Sequence, residues 1–244
     1  FNMKRKKKYS KSISLMFPLY KDKRTVKRMI KKCLKILKKT RTKFEIVIVD
    51  DGCPENSGKI AEVIAKNNSK IKVFFHKKNL GYGAAIKTGL KKCRYECIYV
   101  VDGDCEFGVA DNDLPRAIKV FSKNDLVITY RYKKRYKTTR IIISWVYNVL
   151  LRILFKTKFK DISSGARLIS KKLAKKIILT SNSPFIGAEL SIKSKYAGYQ
   201  VGEIGIHSYP RTFGTGSSVS MKNIILTIRD MILLFIKLNL KKFF

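Results

Sequence analysis

The 244-residue sequence predicts an α/β fold: a mostly parallel sheet with helices on both faces. Three observations carry that expectation. Short, nearly continuous apolar runs alternate with amphipathic stretches of helical length, as crossover connections between parallel strands require. Hydrophobic residues make up 45% of the chain, enough to build a core and too many for a disordered segment. The early apolar runs also end in acidic or glycine-rich sequence, at the edge where such sheets bind ligands.

The elements follow in order. Residues 12–17 (SISLMF) read as a strand and residues 25–37 as a basic amphipathic helix. FEIVIV at 44–49 is a strand that ends at Asp50, Asp51 and Gly52. A helix is expected at 58–67, a strand at 71–75 and a helix at 83–92. The strand at 97–101 runs into Asp102, and a helix at 114–122 and a strand at 125–130 follow. After Arg131 the rhythm changes. Residues 141–155 form an apolar helix short of the ~20 residues that span a bilayer, so it is packed or interfacial. Residues 170–179 and 187–197 read as helices and 200–206 as a strand. The stretch at 209–220, rich in Gly, Ser and Thr, is expected to be a mobile loop. Residues 224–244 are strongly apolar but carry Arg229, Asp230 and Lys237. Those charges favour an amphipathic helix lying in a membrane interface, with a helix docked on the domain as the competing reading. The chain thus divides into a basic tail (1–11), one α/β domain (12–220) and an amphipathic C-terminal helix (221–244).

Charge and cysteines narrow the setting. The 54 basic and 17 acidic residues give a net charge of +37. Of the basic residues 41 are Lys and only 13 Arg, whereas nucleic-acid readers exploit the planar Arg fork, so a nucleic-acid partner is disfavoured. Compositional drift and attraction to an anionic membrane surface remain as readings of the charge. The basic run at 4–8 is followed by no signal-peptide apolar segment. Five cysteines without a CxxC pair predict reduced thiols in the cytosol.

The strongest chemical signal is Asp102-Gly103-Asp104, directly after the strand CIYVV. Two carboxylates two residues apart at a strand end can converge on one hard divalent cation, Mg or Mn, and Gly103 permits close backbone approach. Asp50 and Asp51 fit a second metal site, a turn with Gly52, or a clamp for a nucleobase and ribose; the clamp is preferred. Asn79 to Gly83 (NLGYG) opens a helix without the third glycine of a dinucleotide fingerprint, and reads as a glycine-rich helix start beside a donor pocket. His76, at a strand end, reads as structural, while His207 is a candidate contact for a diphosphate or metal.

In this order, FPLYKD (17–22), VDDG (49–52), NLGYGAAIKTG (79–89), DGDCEF (102–107), DISSGAR (161–167), GAEL (187–190), GYQVGEI (198–204) and PRTFG (210–214) resemble the inverting family 2 glycosyltransferases of GT-A fold. Within them the chain is most similar to the dolichol- or polyprenyl-phosphate mannose synthases, over about residues 12 to 220. The resemblance implies a GT-A-like fold and places Pro18, Leu19, Tyr20, Asp22, Asp50, Asp51, Asn79, Gly83 and Gly103 around the nucleotide-sugar donor. It implies Asp102 and Asp104 at the metal and diphosphate, with Glu106, where the mannose synthases carry Gln, as a third metal ligand. Arg131, Arg140, Ser144 and Arg211 match positions that handle donor or acceptor phosphates. Gly216-Ser217-Ser218 stands where the family often has Ser-Lys.

The implied reaction moves a hexose from a nucleotide diphosphate to a polyprenyl phosphate at the cytoplasmic face of a membrane. An anionic membrane surface and a membrane protein are the other partners expected. An ionised phosphate attacks without a strong general base, so positioning and electrostatics suffice. Transfer to a glycan hydroxyl, the alternative, needs a base; Glu189 is the candidate, with a helix-start carboxylate that favours the dipole as its competing reading.

Overall fold

The computed structural model describes residues 12–103, 112–132, 138–162, 164–206 and 220–240. Among these residues seven strands form one sheet: β1 (Ser12–Leu19), β2 (Lys43–Asp50), β3 (Ile71–Phe75), β4 (Cys97–Val100), β5 (Leu126–Arg131), β6 (Arg167–Ser170) and β7 (Val201–Ile206). Eight helices among the described residues accompany them: α1 (Val26–Lys39), α2 (Ser57–Lys66), α3 (Tyr82–Lys92), α4 (Asp113–Phe121), α5 (Thr138–Phe155), α6 (Lys171–Lys176), α7 (Ile186–Tyr196) and α8 (Met221–Leu240). The α/β architecture expected from the sequence is therefore the one observed.

The strand order is β3-β2-β1-β4-β6-β5-β7. All neighbours pair in parallel except at β6, which is antiparallel to both β4 and β5. β6 is the element missing from the sequence reading, which began a helix at Ser170. Only four residues long, RLIS is too brief to show a period, and its pairing with β4 and β5 is settled by the sheet rather than by the segment.

Burial on both faces explains the unbroken apolar strands. One core layer packs Leu15, Phe17, Ile46 and Ile48 under α1, where Met29, Ile30, Cys33, Ile36 and Leu37 recur at helical spacing. The other packs Met16, Val47, Val49, Ile98 and Val100 against α3 and α7, and continues to Leu151 and Phe155 of α5 and Met231 and Leu234 of α8. The C-terminal helix is thus docked on the domain through one of its faces. Cys33, Cys53, Cys93 and Cys97 are free thiols, and burial pushes the pKa values of Cys93 and Cys97 up to about 12. Among the described residues no helix is long and apolar enough to cross a membrane.

Candidate active site

The carboxyl ends of β1, β2, β3, β4, β5 and β7 share one edge of the sheet, and the amino end of antiparallel β6 opens there too. Asp102 stands two residues beyond β4, where Val101 still pairs with Met16. Its carboxylate accepts a 2.7 Å hydrogen bond from the Tyr82 hydroxyl, at the start of α3. Gly165 faces the same carboxylate so closely that an added Cβ would overlap it, and at Gly103 a Cβ would lie 2.5 Å from the Pro18 carbonyl oxygen. These two glycines leave a tight, oxygen-lined corner between β1, β4 and the segment before β6. Oxygen donors in a space that admits no side chain suit a hard divalent cation. Asp102, with Asp104 and Glu106, would hold it; the latter two lie outside the described residues, among which no cluster of three ligands forms.

Arg167, at the start of β6, is 5% exposed with its guanidinium against Gly187, where a Cβ would overlap it. One nitrogen donates to the Ile162 carbonyl at 2.8 Å, and Nε has no hydrogen-bond partner among the described residues. Burial lowers its pKa from the ordinary value, while Tyr82, Asp102, Tyr147 and Asp161 favour the charged form. It remains a cation, an arginine fixed behind the acidic corner. Arg131, at the end of β5, pairs with buried Asp161 through Nε at 2.9 Å and a second nitrogen at 2.8 Å. Asn148 of α5 closes this group by accepting from the Ile162 amide and donating to the Ser144 carbonyl. The segment 161–167 therefore supplies Asp161, Gly165 and Arg167 to one corner. The sequence reading quoted that motif but assigned roles to none of its residues; its signal was the packing of an Asp, a Gly and an Arg into seven positions.

Asp50 and Asp51 depart from the expected clamp. Asp50 accepts from the amides of Cys53 (2.7 Å) and Gly58 (2.6 Å), so its charge sits at the start of α2. Asp51 accepts from the amides of Leu80 (3.0 Å) and Gly81 (2.9 Å) and contacts His76 Nδ1 at 2.7 Å. His76 reaches Thr88 through Nε2 at 2.9 Å, in keeping with the structural role expected of it. Both carboxylates are 3% exposed and are used by the protein itself to set the entries to α2 and α3. Gly52, at φ +63°, allows the backbone of Lys78 and Asn79 to pass over the turn.

Glu189 lies in the first turn of α7, where its competing reading as a helix-start carboxylate put it. It is 1% exposed and accepts from the Thr180 amide and hydroxyl (2.9 and 2.7 Å), the Ser181 amide (2.9 Å) and the Lys193 ammonium. Burial raises its pKa, but these hydrogen bonds outweigh burial and hold it below the ordinary 4.5. A carboxylate so engaged is a poor proton acceptor for a substrate hydroxyl.

The other expected donor residues lie on β1, just after it, and at the start of α3. Tyr20 is 36% exposed, Asn79 is exposed, and Leu19 is fully buried with its carbonyl accepting the Asp51 amide. Asp22 accepts from the Tyr20 amide at 3.1 Å. The Gly83 amide, on the first turn of α3, donates to the Asn182 carbonyl at 2.9 Å rather than opening to the cleft. Asp104, Glu106, His207 and Arg211 lie outside the described residues, as do the 209–219 part of the expected loop and the side chain of Arg140.

Comparison with known proteins adds to this geometry. Residues 14–178 match the family model described as Glycosyl transferase family 2. An uncharacterized glycosyltransferase, EpsJ of Bacillus subtilis (strain 168), is 39% identical over 93 residues, 38% of this chain and 26% of that protein. The dolichyl-phosphate beta-glucosyltransferase ALG5D of Trichomonas vaginalis (strain ATCC PRA-98 / G3) is 24% identical over 70% of this chain and 57% of its own length. The undecaprenyl-phosphate 4-deoxy-4-formamido-L-arabinose transferase of Pseudomonas fluorescens (strain SBW25) is 25% identical over 50% of this chain and 36% of its own. The chain thus spans between 26% and 57% of these relatives' lengths. Among solved structures, glucosyl-3-phosphoglycerate synthase from Mycobacterium tuberculosis, in complex with Mn2+, UDP and glucosyl-3-phosphoglycerate, superposes with a TM-score of 0.65. The match covers 84% of this chain and 73% of that one at 14% identity, a likeness of fold.

Proposed function

The chain belongs to glycosyl transferase family 2, and from that premise we propose that it transfers a hexose from a nucleotide-diphosphate sugar to a polyprenyl phosphate at the cytoplasmic face of a membrane. The observation that carries the lipid acceptor is the apolar surface exposed on α5 and α8. On α5 the outward residues Ile142, Val146 and Ile153 fall at helical spacing and are 55%, 42% and 68% exposed. On α8 Met221, Ile225, Ile228, Ile232, Ile236 and Leu240 repeat every three or four residues, opposite the buried Asp230, Met231 and Leu234. An outward face in water is ordinarily polar. The two helices meet where Phe155 lies edge-on to Phe235 at 6.1 Å, and both add residues to the same core layer. Exposed apolar area on that scale marks an interaction site, and helices of this kind lie in the headgroup region of a bilayer. Trp145, 61% exposed, suits the same zone.

The names of two relatives, which carry dolichyl and undecaprenyl phosphate, support the same acceptor class. So does the engagement of Glu189, which leaves a hydroxyl acceptor without its candidate base. A polyprenyl phosphate is already anionic and attacks the anomeric carbon directly, with inversion; the sugar–diphosphate bond breaks as the new bond forms. A divalent cation such as Mg or Mn, when bound, supplies positive charge to the leaving diphosphate. This chain's own residues do the rest. Asp102 and Asp104 hold the donor end of the reaction, Tyr82 and Gly165 fix the Asp102 carboxylate, and Arg167 and Arg131 bring fixed positive charge to a region where two phosphates meet. Pro18, Tyr20, Asp22 and Asn79 border the nucleotide.

Incubation with radiolabelled UDP- and GDP-sugars, Mn2+ and undecaprenyl phosphate in anionic vesicles tests this reading. Organic-extractable label is the expected result; label appearing only on a soluble hydroxyl acceptor would overturn the lipid assignment. In the same vesicles, serines at Ile232 and Leu233 should weaken binding ~100-fold, since each buried aliphatic side chain contributes ~1.5–3 kcal/mol.

A further inference from the structure

We propose that Asp230, on α8, is a positioning residue for the metal and donor site, so the helix whose outer face meets the bilayer also sets the geometry of the catalytic corner. The proposal rests on the reading of Asp102 as the carboxylate that meets the metal and diphosphate. Asp230 is 8% exposed on the face of α8 that otherwise buries Met231 and Leu234. A buried carboxylate in an apolar seam is costly unless it is hydrogen-bonded. Arg229, its neighbour in sequence, occupies one oxygen through Nε and a second nitrogen at 3.1 and 2.9 Å. The other oxygen accepts from the hydroxyls of Ser181 (2.6 Å) and Ser183 (2.8 Å), both on the loop before α7.

That loop is the support on which α3 begins. Each serine hydroxyl sends its proton to Asp230 and uses its oxygen to accept an amide, from Ser183 into Ser181 and from Phe185 into Ser183. The hydroxyls can hold the loop only while an acceptor fixes where their protons point. Glu189 takes the amides of Thr180 and Ser181 from the opposite side. Between these anchors lies Asn182, whose carbonyl accepts the Gly83 amide at 2.9 Å. Gly81 and Gly83 press so closely on the backbone of Ser181 and Asn182 that a Cβ at either would lie 2.6 Å from a carbonyl oxygen. Tyr82 sits between those glycines and donates to Asp102.

The first turn of α3 is therefore clamped twice. Asp51 holds it directly through the Leu80 and Gly81 amides, and Asp230 holds it through Ser181, Asn182 and Ser183. Release of the second clamp frees Tyr82 to move, and with it the Asp102 carboxylate. Residues that orient a metal ligand from behind typically change metal affinity by ~10–100-fold when removed.

The test compares the full chain with Asp230→Ala and Asp230→Asn. Mn2+ binding is followed by the electron paramagnetic resonance signal of the free ion, and amide hydrogen exchange is followed over residues 79–85. Asp230→Ala should weaken Mn2+ binding ~10-fold and speed exchange across 79–85, and Asp230→Asn, which keeps an acceptor for the two hydroxyls, should recover most of both. Wild-type Mn2+ affinity and exchange in Asp230→Ala would overturn the proposal, as would an Asn variant no better than Ala. Should Asp230→Ala fail to fold, the Ser181→Ala/Ser183→Ala double variant leaves the Arg229 contact in place and is held to the same two readouts. A wild-type chain that binds no Mn2+ would refute the metal reading itself, and the exchange data would still decide whether Asp230 holds the first turn of α3.

Discussion

Asp102, in the role proposed for it, shows how much of a functional group is made by its neighbours. Its own position follows from a strand that ends two residues before it, but its carboxylate is fixed by Tyr82 from α3 and walled by Gly165 from the segment before β6. A methyl group at residue 165 has nowhere to go except against that carboxylate. Gly165→Ala should therefore lower transfer activity ~100-fold, the scale of a displacement of ~1 Å at a reacting group, while the circular dichroism spectrum stays that of the wild type. Unaltered activity in that variant would remove Asp102 from the site. Asp50 and Asp51 teach the converse. Two adjacent acids at a strand end look like ligands in a sequence, and in the fold their oxygens are committed to backbone amides and, for Asp51, to His76. The sequence could place them at the right edge because strand ends are local; it could not show who donates to them.

At the scale of elements, α7 and α8 both present carboxylates to the loop at 180–183, and both are held below their ordinary pKa. Burial acts against ionisation at Glu189 and Asp230, and is outweighed at Glu189 by Lys193, Thr180 and Ser181, and at Asp230 by Ser181, Arg229 and Ser183. A folded-state pKa below the unfolded one contributes stability that is complete above the unfolded value and is lost as pH falls through the folded one. The unfolded references are 4.5 for Glu189 and 3.8 for Asp230, so the loss belongs to the acid side of those values. Thermal midpoints should accordingly decline between about pH 5 and about pH 3, and Glu189→Gln, though less stable at neutral pH, should show a flatter decline over that window. A parallel decline in both proteins would mean that other carboxylates carry the acid sensitivity. The same scale explains the missed strand. RLIS is strand because β4 and β5 leave a slot for it, and its antiparallel direction carries Arg167 to the edge where β4 and β5 end.

For the whole molecule, charge and apolar surface would both favour the membrane partner proposed above. A net charge of +37 makes association between copies of this chain electrostatically unfavourable and attraction to an anionic surface favourable. Arg152, Lys222, Arg229 and Lys237 are exposed on the two helices that carry the apolar faces. Vesicles containing anionic lipid should bind the protein more tightly than neutral ones at ~0.1 M salt. That difference should shrink at ~1 M, where the screening length falls from ~10 Å to ~3 Å, leaving the apolar contribution. Equal binding to both vesicle types at low salt would assign the positive charge to composition alone. The sequence by itself determined the alternation of strands and helices, the edge at which the site lies and the acids that stand there, because apolar periodicity and strand ends are properties of contiguous residues. It also left open whether the last helix docks on the domain or on a membrane. Only the tertiary structure decided that α8 docks on the domain through one face and leaves an apolar face exposed. Only the tertiary structure, likewise, joined Tyr82, Asp102, Gly165 and Arg167 in one corner, since contacts between residues so far apart in the chain exist only once the sheet has closed.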